Sequence, residues 1–131
     1  MDNHEEMFVN AFVIPTKRER FLEQLASEKH RRKATSSLDH SADLDSKYAT
    51  QIPPHHQTPA AIAGILADKG ASDTCHVISA NPILDGQDMS ILTALEAVVG
   101  YSDGTFVSCI PGKLGYFDSG DRGERFIFEK R

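Results

Sequence analysis

Ligand-type side chains concentrate in one polar stretch of this sequence. His40, Asp43, His55 and His56 lie between residues 39 and 56, with Asp39 and Asp45 among them. Imidazole and carboxylate together suit zinc, iron or manganese, so these four residues are the candidate metal ligands. They support one reading of the chain, a small hydrolase or metal-dependent enzyme. The spacing is neither the HExxH pair of a helix nor an EF-hand loop, whose glycine and terminal glutamate are missing. Aspartates at such places also serve as helix caps and turn formers.

A second kind of chemistry is electrostatic. Lys17, Arg18, Arg20, Lys29, Arg31, Arg32 and Lys33 supply seven of the fourteen Lys and Arg residues. Only Glu19, Glu23 and Glu28 stand against them, giving the segment from Pro15 to Ala34 a net +4 on a chain whose total is −5. The remainder therefore carries −9. A basic helix on an acidic body can grip a phosphate or a membrane surface, or dock on an acidic domain, including a second copy of the same chain. Base readout in nucleic acid would need an uninterrupted polar face, and three glutamates cross this one. Phe21 belongs to the apolar stripe, so the basic run offers no aromatic ring for stacking on bases.

Thiol chemistry is a third option. Cys109 stands before Ile110-Pro111-Gly112 at a predicted strand end, and His76 on a neighbouring strand would be its base. Against this, unpaired cysteines are among the most buried residue types. Gly100-Tyr101-Ser102-Asp103-Gly104 has the look of a phosphate loop, but its glycines lie between helix and strand, the reverse of a Walker loop. The sequence names no cofactor.

The elements that must position these residues follow from composition and periodicity. At 131 residues, with 40% hydrophobic and 25% charged residues, the chain suits one domain able to bury a core without metal or disulfide staples. No apolar run reaches the roughly 18 residues of a membrane span. The Met7 to Ile14 cluster is broken by Asn10 and preceded by acids, unlike a secretory signal. Cys75 and Cys109 have no CxxC spacing, and a reducing cytoplasm is the expected compartment.

Met7, Phe8, Ala11 and Phe12 predict a short helix ended by Pro15. Phe21, Leu22, Leu25 and Ala26 predict a second, with a break near Glu28. Leu44, Tyr48 and Ile52 recur every fourth residue and predict a short helix capped by Asp43. Thr58-Pro59 opens the next helix over Ile62, Ile65 and Leu66, with Gly70 as its C-cap. Ser90 caps another over Leu92, Leu95, Val98 and Val99, closed by Gly100. Strands are predicted at Cys75 to Ala80, Thr105 to Ile110, Lys113 to Phe117 and Arg125 to Glu129. Pro111-Gly112 suits a type II turn and implies a bulge or wider loop. A long polar loop is expected from Asp118 to Gly123.

The expected fold is α+β: one domain with N-terminal helices packed on a small, mainly antiparallel sheet formed by the C-terminal half. Residues 1–34 form a basic helical segment, 35–57 a polar excursion and 58–131 the α/β core. Phe21, Leu25, Ile62, Leu66, Ile78, Leu95, Val98, Phe106, Ile110 and Phe126 are the expected core. The leading functional reading is a non-enzymatic binding or regulatory module whose basic helix meets an acidic protein surface or a nucleic acid.

Overall fold

A computed structural model of the protein describes residues 3–101, 103–120 and 124–130. The chain opens with helix α1 (Asn3–Phe12), then α2 (Arg18–Ala26) and α3 (Arg31–Ser36). Proline and the lapse in the apolar stripe place the breaks: Pro15–Lys17 forms a 3-10 turn before α2, and the chain leaves the helix at Ser27. Further on lie β1 (Ala49–Gln51), α4 (Pro59–Asp68), β2 (Thr74–Ser79), β3 (Asp88–Ser90), α5 (Ile91–Val98), β4 (Thr105–Ile110), β5 (Leu114–Asp118) and β6 (Arg125–Glu129). Among the described residues, the six strands make one antiparallel sheet in the order β1-β6-β5-β4-β2-β3.

Alternation along the strands explains why both faces of β4 read as apolar. Ile78, Phe106, Phe117 and Phe128 point to one side and meet Phe8, Phe12, Phe21 and Leu25 of α1 and α2. Val77, Val107, Tyr116 and Ile127 point to the other and meet Ile62 and Leu66 of α4 and Leu95 and Val98 of α5. Helices thus cover both faces of the sheet, an α+β fold in three layers.

Local signals set the helix ends. The Thr58 hydroxyl accepts from Ala61 N at 3.2 Å, and Ser90 Oγ accepts from Thr93 N at 3.2 Å, each satisfying a first-turn amide. Gly70 and Gly100 follow α4 and α5 with φ of 103° and 89°, a conformation that a side chain would strain. Lys113 N donates to Ile110 O at 2.9 Å across Pro111-Gly112, and the β4–β5 register shifts between Ser108 and Ile110. The expected turn and bulge are both there.

Several expectations are corrected. Leu44, Tyr48 and Ile52 do not share a helix. Ser46–Tyr48 is a 3-10 turn capped by Asp45, whose side chain accepts from Lys47 N, and β1 follows directly. Pro53 disfavours helix at Ile52, whose N–H donates instead to Arg125 O at 3.0 Å, prolonging the ladder to β6. Leu44 consequently packs with the α1–α2 layer and Ile52 with the opposite one. The excursion is pinned to the end of α1 by the Val13–Leu44 bridge, by Ile14 N to Asp43 O at 2.9 Å and by Asp45 N to Phe12 O at 2.7 Å. Met7 and Leu92, placed on apolar faces by periodicity, are 39% and 47% exposed. Ile110 and Phe126 are only half-buried. Asp118 ends β5 fully buried and does not belong to the polar loop. Residues 121–123 of that loop lie outside the described residues.

Candidate functional site

The basic cluster divides in two once the helices are placed. Lys17, Arg20 and Gln24 follow one another at i, i+3 and i+7 along the outer side of α2 and the turn before it. Lys33 and Ser37, at i and i+4, run along α3 and into the 3-10 turn that follows it. The two rows line a cleft of about 180 Å³, floored by Phe21 and edged by Asp43. An adjoining groove of about 230 Å³ shares Arg20, Gln24 and Lys33 and adds Glu23 and His30. Among the described residues, Lys17, Arg20 and Lys33 form no ion pair with a carboxylate. The Ser37 hydroxyl proton is committed to Ala34 O at 2.6 Å, so the donors facing the cleft are the three cations and the Gln24 amide. Against Asp43, the lining carries a net charge of about +2, the magnitude a phosphomonoester dianion would balance.

The other basic residues have different fates. Arg18 Nε donates to Val13 O at 2.9 Å, tying the start of α2 to the end of α1. Lys29 and Arg32 are exposed and line neither depression. Arg31 turns inward and is withdrawn from any external partner. Its Nη1 and Nη2 grip Glu5 Oε1 and Oε2 at 2.8 and 2.7 Å, a bidentate pair. Its Nε and Nη2 reach Asp85 Oδ2 and Oδ1 at 2.6 and 3.1 Å, and Nη1 also donates to Leu25 O at 3.2 Å.

Glu5 is the hub of this buried network. His76 Nε2 lies 2.7 Å from Glu5 Oε2, and His76 Nδ1 lies 2.7 Å from Asp88 Oδ1. Ionised carboxylates only accept, so the ring form satisfying both contacts is the imidazolium, donating from each nitrogen. His4 stacks on His76 with centroids 5.6 Å apart, and its Nδ1 lies 2.7 Å from Ser108 Oγ. The network joins α1, α3, β2, β3 and the β2–β3 turn, where Asp85 also accepts from Ser79 N at 3.0 Å.

Burial alone would raise the Glu5 carboxyl. Hydrogen bonds from His76 and Arg31, with their positive charge, outweigh it and hold the group at about 2 rather than 4.5. A carboxylate with a depressed folded pKa stabilises the fold above its unfolded value, and loses that contribution as pH falls from about 4.5 to 2. The contribution is on the order of 3 kcal/mol. The buried Asp118 carboxyl works the other way, because burial pushes it up and acid relieves its penalty. Urea denaturation of wild type and Glu5→Gln from pH 7 to pH 2.5 separates the two. The stability gap between them should be largest near neutrality and shrink in acid; a gap independent of pH would contradict this assignment.

The other sequence candidates are not assembled. Among the described residues, no three or more His, Cys, Asp or Glu side chains are grouped to hold a metal. His55 and His56 sit together on an exposed 3-10 turn (Pro54–His56), ring centroids 4.1 Å apart. Asp43 edges the basic cleft, and His40 is exposed at the end of the turn after α3. Cys109 and His76 face opposite sides of the sheet, so His76 cannot serve that thiol as a base. Burial pushes Cys75 up to about 11, and Cys109 higher still. Of the Gly100 to Gly104 segment, Ser102 lies outside the described residues, and Gly104 N donates to Asp39 Oδ1 at 2.8 Å. A Cβ at Gly104 would collide with the Leu38 backbone, which explains the glycine.

Sequence reasoning passed over Glu5, Asp85 and Asp88, and counted Arg31 as exposed. The signal was present for two of them. Glu5 stands in phase with Phe8, Val9 and Phe12, and Arg31 in phase with Ala34 and Leu38. A charge on an apolar face implies a buried partner of opposite sign.

Comparison with known protein families, curated proteins and solved structures finds no match for this chain. No helix among the described residues is long and apolar enough to cross a membrane.

Proposed function

We propose that this protein is a non-enzymatic binding module whose α2–α3 cleft receives a phosphorylated side chain from an acidic protein partner. The observation that supports this reading is the convergence of Lys17, Arg20 and Lys33, none paired to a carboxylate, on one small cleft. Unpaired cations keep their full hydration, and charge-assisted hydrogen bonds to a dianion repay its loss better than bonds to a neutral group. At about 180 Å³ the cleft has room for one phosphoryl group. Nucleic acid is disfavoured because Glu19, Glu23 and Glu28 interrupt the basic segment that would have to track its backbone.

The test is fluorescence anisotropy with a labelled acidic peptide carrying one phosphoserine, against its unphosphorylated form, at low salt. The phosphorylated peptide should bind at least tenfold more tightly, and added salt should weaken it. Arg20→Glu with Lys33→Glu should abolish the difference while shifting stability by no more than about 0.5 kcal/mol, since both side chains are exposed. Equal affinity for the two peptides, or tighter binding of a single-stranded oligonucleotide, would contradict the proposal.

A further inference from the structure

The cleft is a property of two helices, which pack through Phe21, Leu25, Ala34 and Leu38 and are bridged by one polar side chain. Lys33 and Ser37 come from α3 and the 3-10 turn that follows it, whereas Lys17, Arg20 and Gln24 come from α2 and its leading turn. α3 is six residues long, too short to hold its place by helix propensity. Arg31, its first residue, donates simultaneously to the α2 carbonyl of Leu25, to Glu5 on α1 and to Asp85 beyond β2. Glu5 is itself held by His76 of the sheet.

We infer that Arg31 is the positioning residue of the cleft, with Glu5 and Asp85 as the anchors that hold it. It does not touch the bound anion. It sets the start of α3 against the end of α2, and with that the separation between Arg20 and Lys33. This rests on the reading of the cleft as an anion site, and it assigns a role in binding to three residues turned away from it. The five donors of a guanidinium, fixed in one plane, are what allow a single side chain to register three elements at once, which a lysine could not do.

The consequence opposes simple electrostatics. Glu5→Gln and Asp85→Asn each remove a negative charge from the neighbourhood of a basic cleft. If charge alone governed binding, both would strengthen capture of an anion. Positioning requires the opposite, because each releases part of the hold on Arg31.

Two measurements on the full chain separate the outcomes. The first is a spin-label distance between Glu23→Cys on α2 and Ser36→Cys on α3, both exposed sites, with Cys75 and Cys109 buried and unlabelled. The distance distribution should be narrow in the parent, and broader with a displaced mean once Glu5→Gln or Asp85→Asn is added. The second is the affinity for O-phosphoserine, measured well below the melting temperature of each variant. It should fall at least tenfold for Glu5→Gln and severalfold for Asp85→Asn. Asp85→Asn, at a side chain less buried than that of Glu5 (14% against 4% exposed), keeps the test open should Glu5→Gln fold poorly. Unchanged distances, or equal or tighter phosphoserine binding by a folded variant, overturn the positioning role. Altered distances with no phosphoserine binding by wild type would leave the positioning role standing and remove the anion-site reading instead.

Discussion

Truncating Phe106 to alanine should remove about 3–5 kcal/mol of folding stability, the range for a buried aromatic ring. Phe106 is fully buried on β4, which lies inside the sheet between β5 and β2. Its ring centroid is 4.3 Å from Phe8, 5.7 Å from Phe12 and 5.8 Å from Phe128, so one side chain joins α1 to two strands. The ring also lies over Gly115, where a Cβ would strike it, so the neighbouring strand has already been carved to receive it. Typical domains have only about 5–15 kcal/mol in total, so the variant should unfold at a visibly lower urea midpoint. Ile83→Ala is the control, because Ile83 is 80% exposed on the β2–β3 turn and should change stability by about 0.5 kcal/mol or less. Equal midpoints for the two variants would mean that β4 is misplaced.

The second large effect concerns the buried charges. Arg31→Met should cost about 3 kcal/mol, the lower end for breaking a buried pair, because the Arg31 side chain retains 22% exposure. The loss arises mainly from what is left behind: Glu5, with a side chain 4% exposed, would face His76 alone. Glu5→Met should be similarly harmful, since it leaves Arg31 with Asp85 only. The double variant should lose less than the sum of the single losses, because the ion that each single change leaves unpaired is itself replaced, although His76 and Asp85 each still lose one partner. Full additivity in urea denaturation would show that the two side chains do not act as a pair.

A charge reversal along α3 has to respect this geometry. Arg32 and Lys33 are exposed and can be reversed freely. Reversing Arg31 would place three carboxylates together, so loss of binding in such a variant would report unfolding rather than contact.

The fold was legible where local chemistry and periodicity agreed. Thr58-Pro59 and Ser90 mark helix starts by side chains that bond the first turn, and Gly70 and Gly100 mark ends by their backbone angles. Strands β2, β4, β5 and β6 announce themselves as β-branched and aromatic runs between turn residues. β1 and β3 were not legible, because each has only three residues and owes its conformation to a partner strand, β6 far along the chain for β1 and the preceding β2 for β3. The spacing of Leu44, Tyr48 and Ile52 misled for the same reason: a period of four was produced by a turn and an edge strand feeding two different layers.

For the site, composition located the basic segment but not its division. Residue type cannot show that Arg31 and Arg18 bond inward while Arg20 and Lys33 face outward. The phase of Arg31 with Ala34 and Leu38 is the one hint, and it needs Glu5, 26 positions earlier, to become an argument. The His and Asp residues of the polar excursion were adjacent in sequence and different in fate, since a chain that changes layers carries its side chains apart.

The most direct test of the central claim is a two-dimensional 15N–1H spectrum of the full chain titrated with O-phosphoserine at low salt. The amides of Lys17, Arg20, Gln24, Lys33 and Ser37 should shift together, saturate with a single affinity and return when salt is raised. Shifts spread over the acidic remainder, centred on His55 and His56, or absent altogether would contradict a phosphate-binding cleft between α2 and α3.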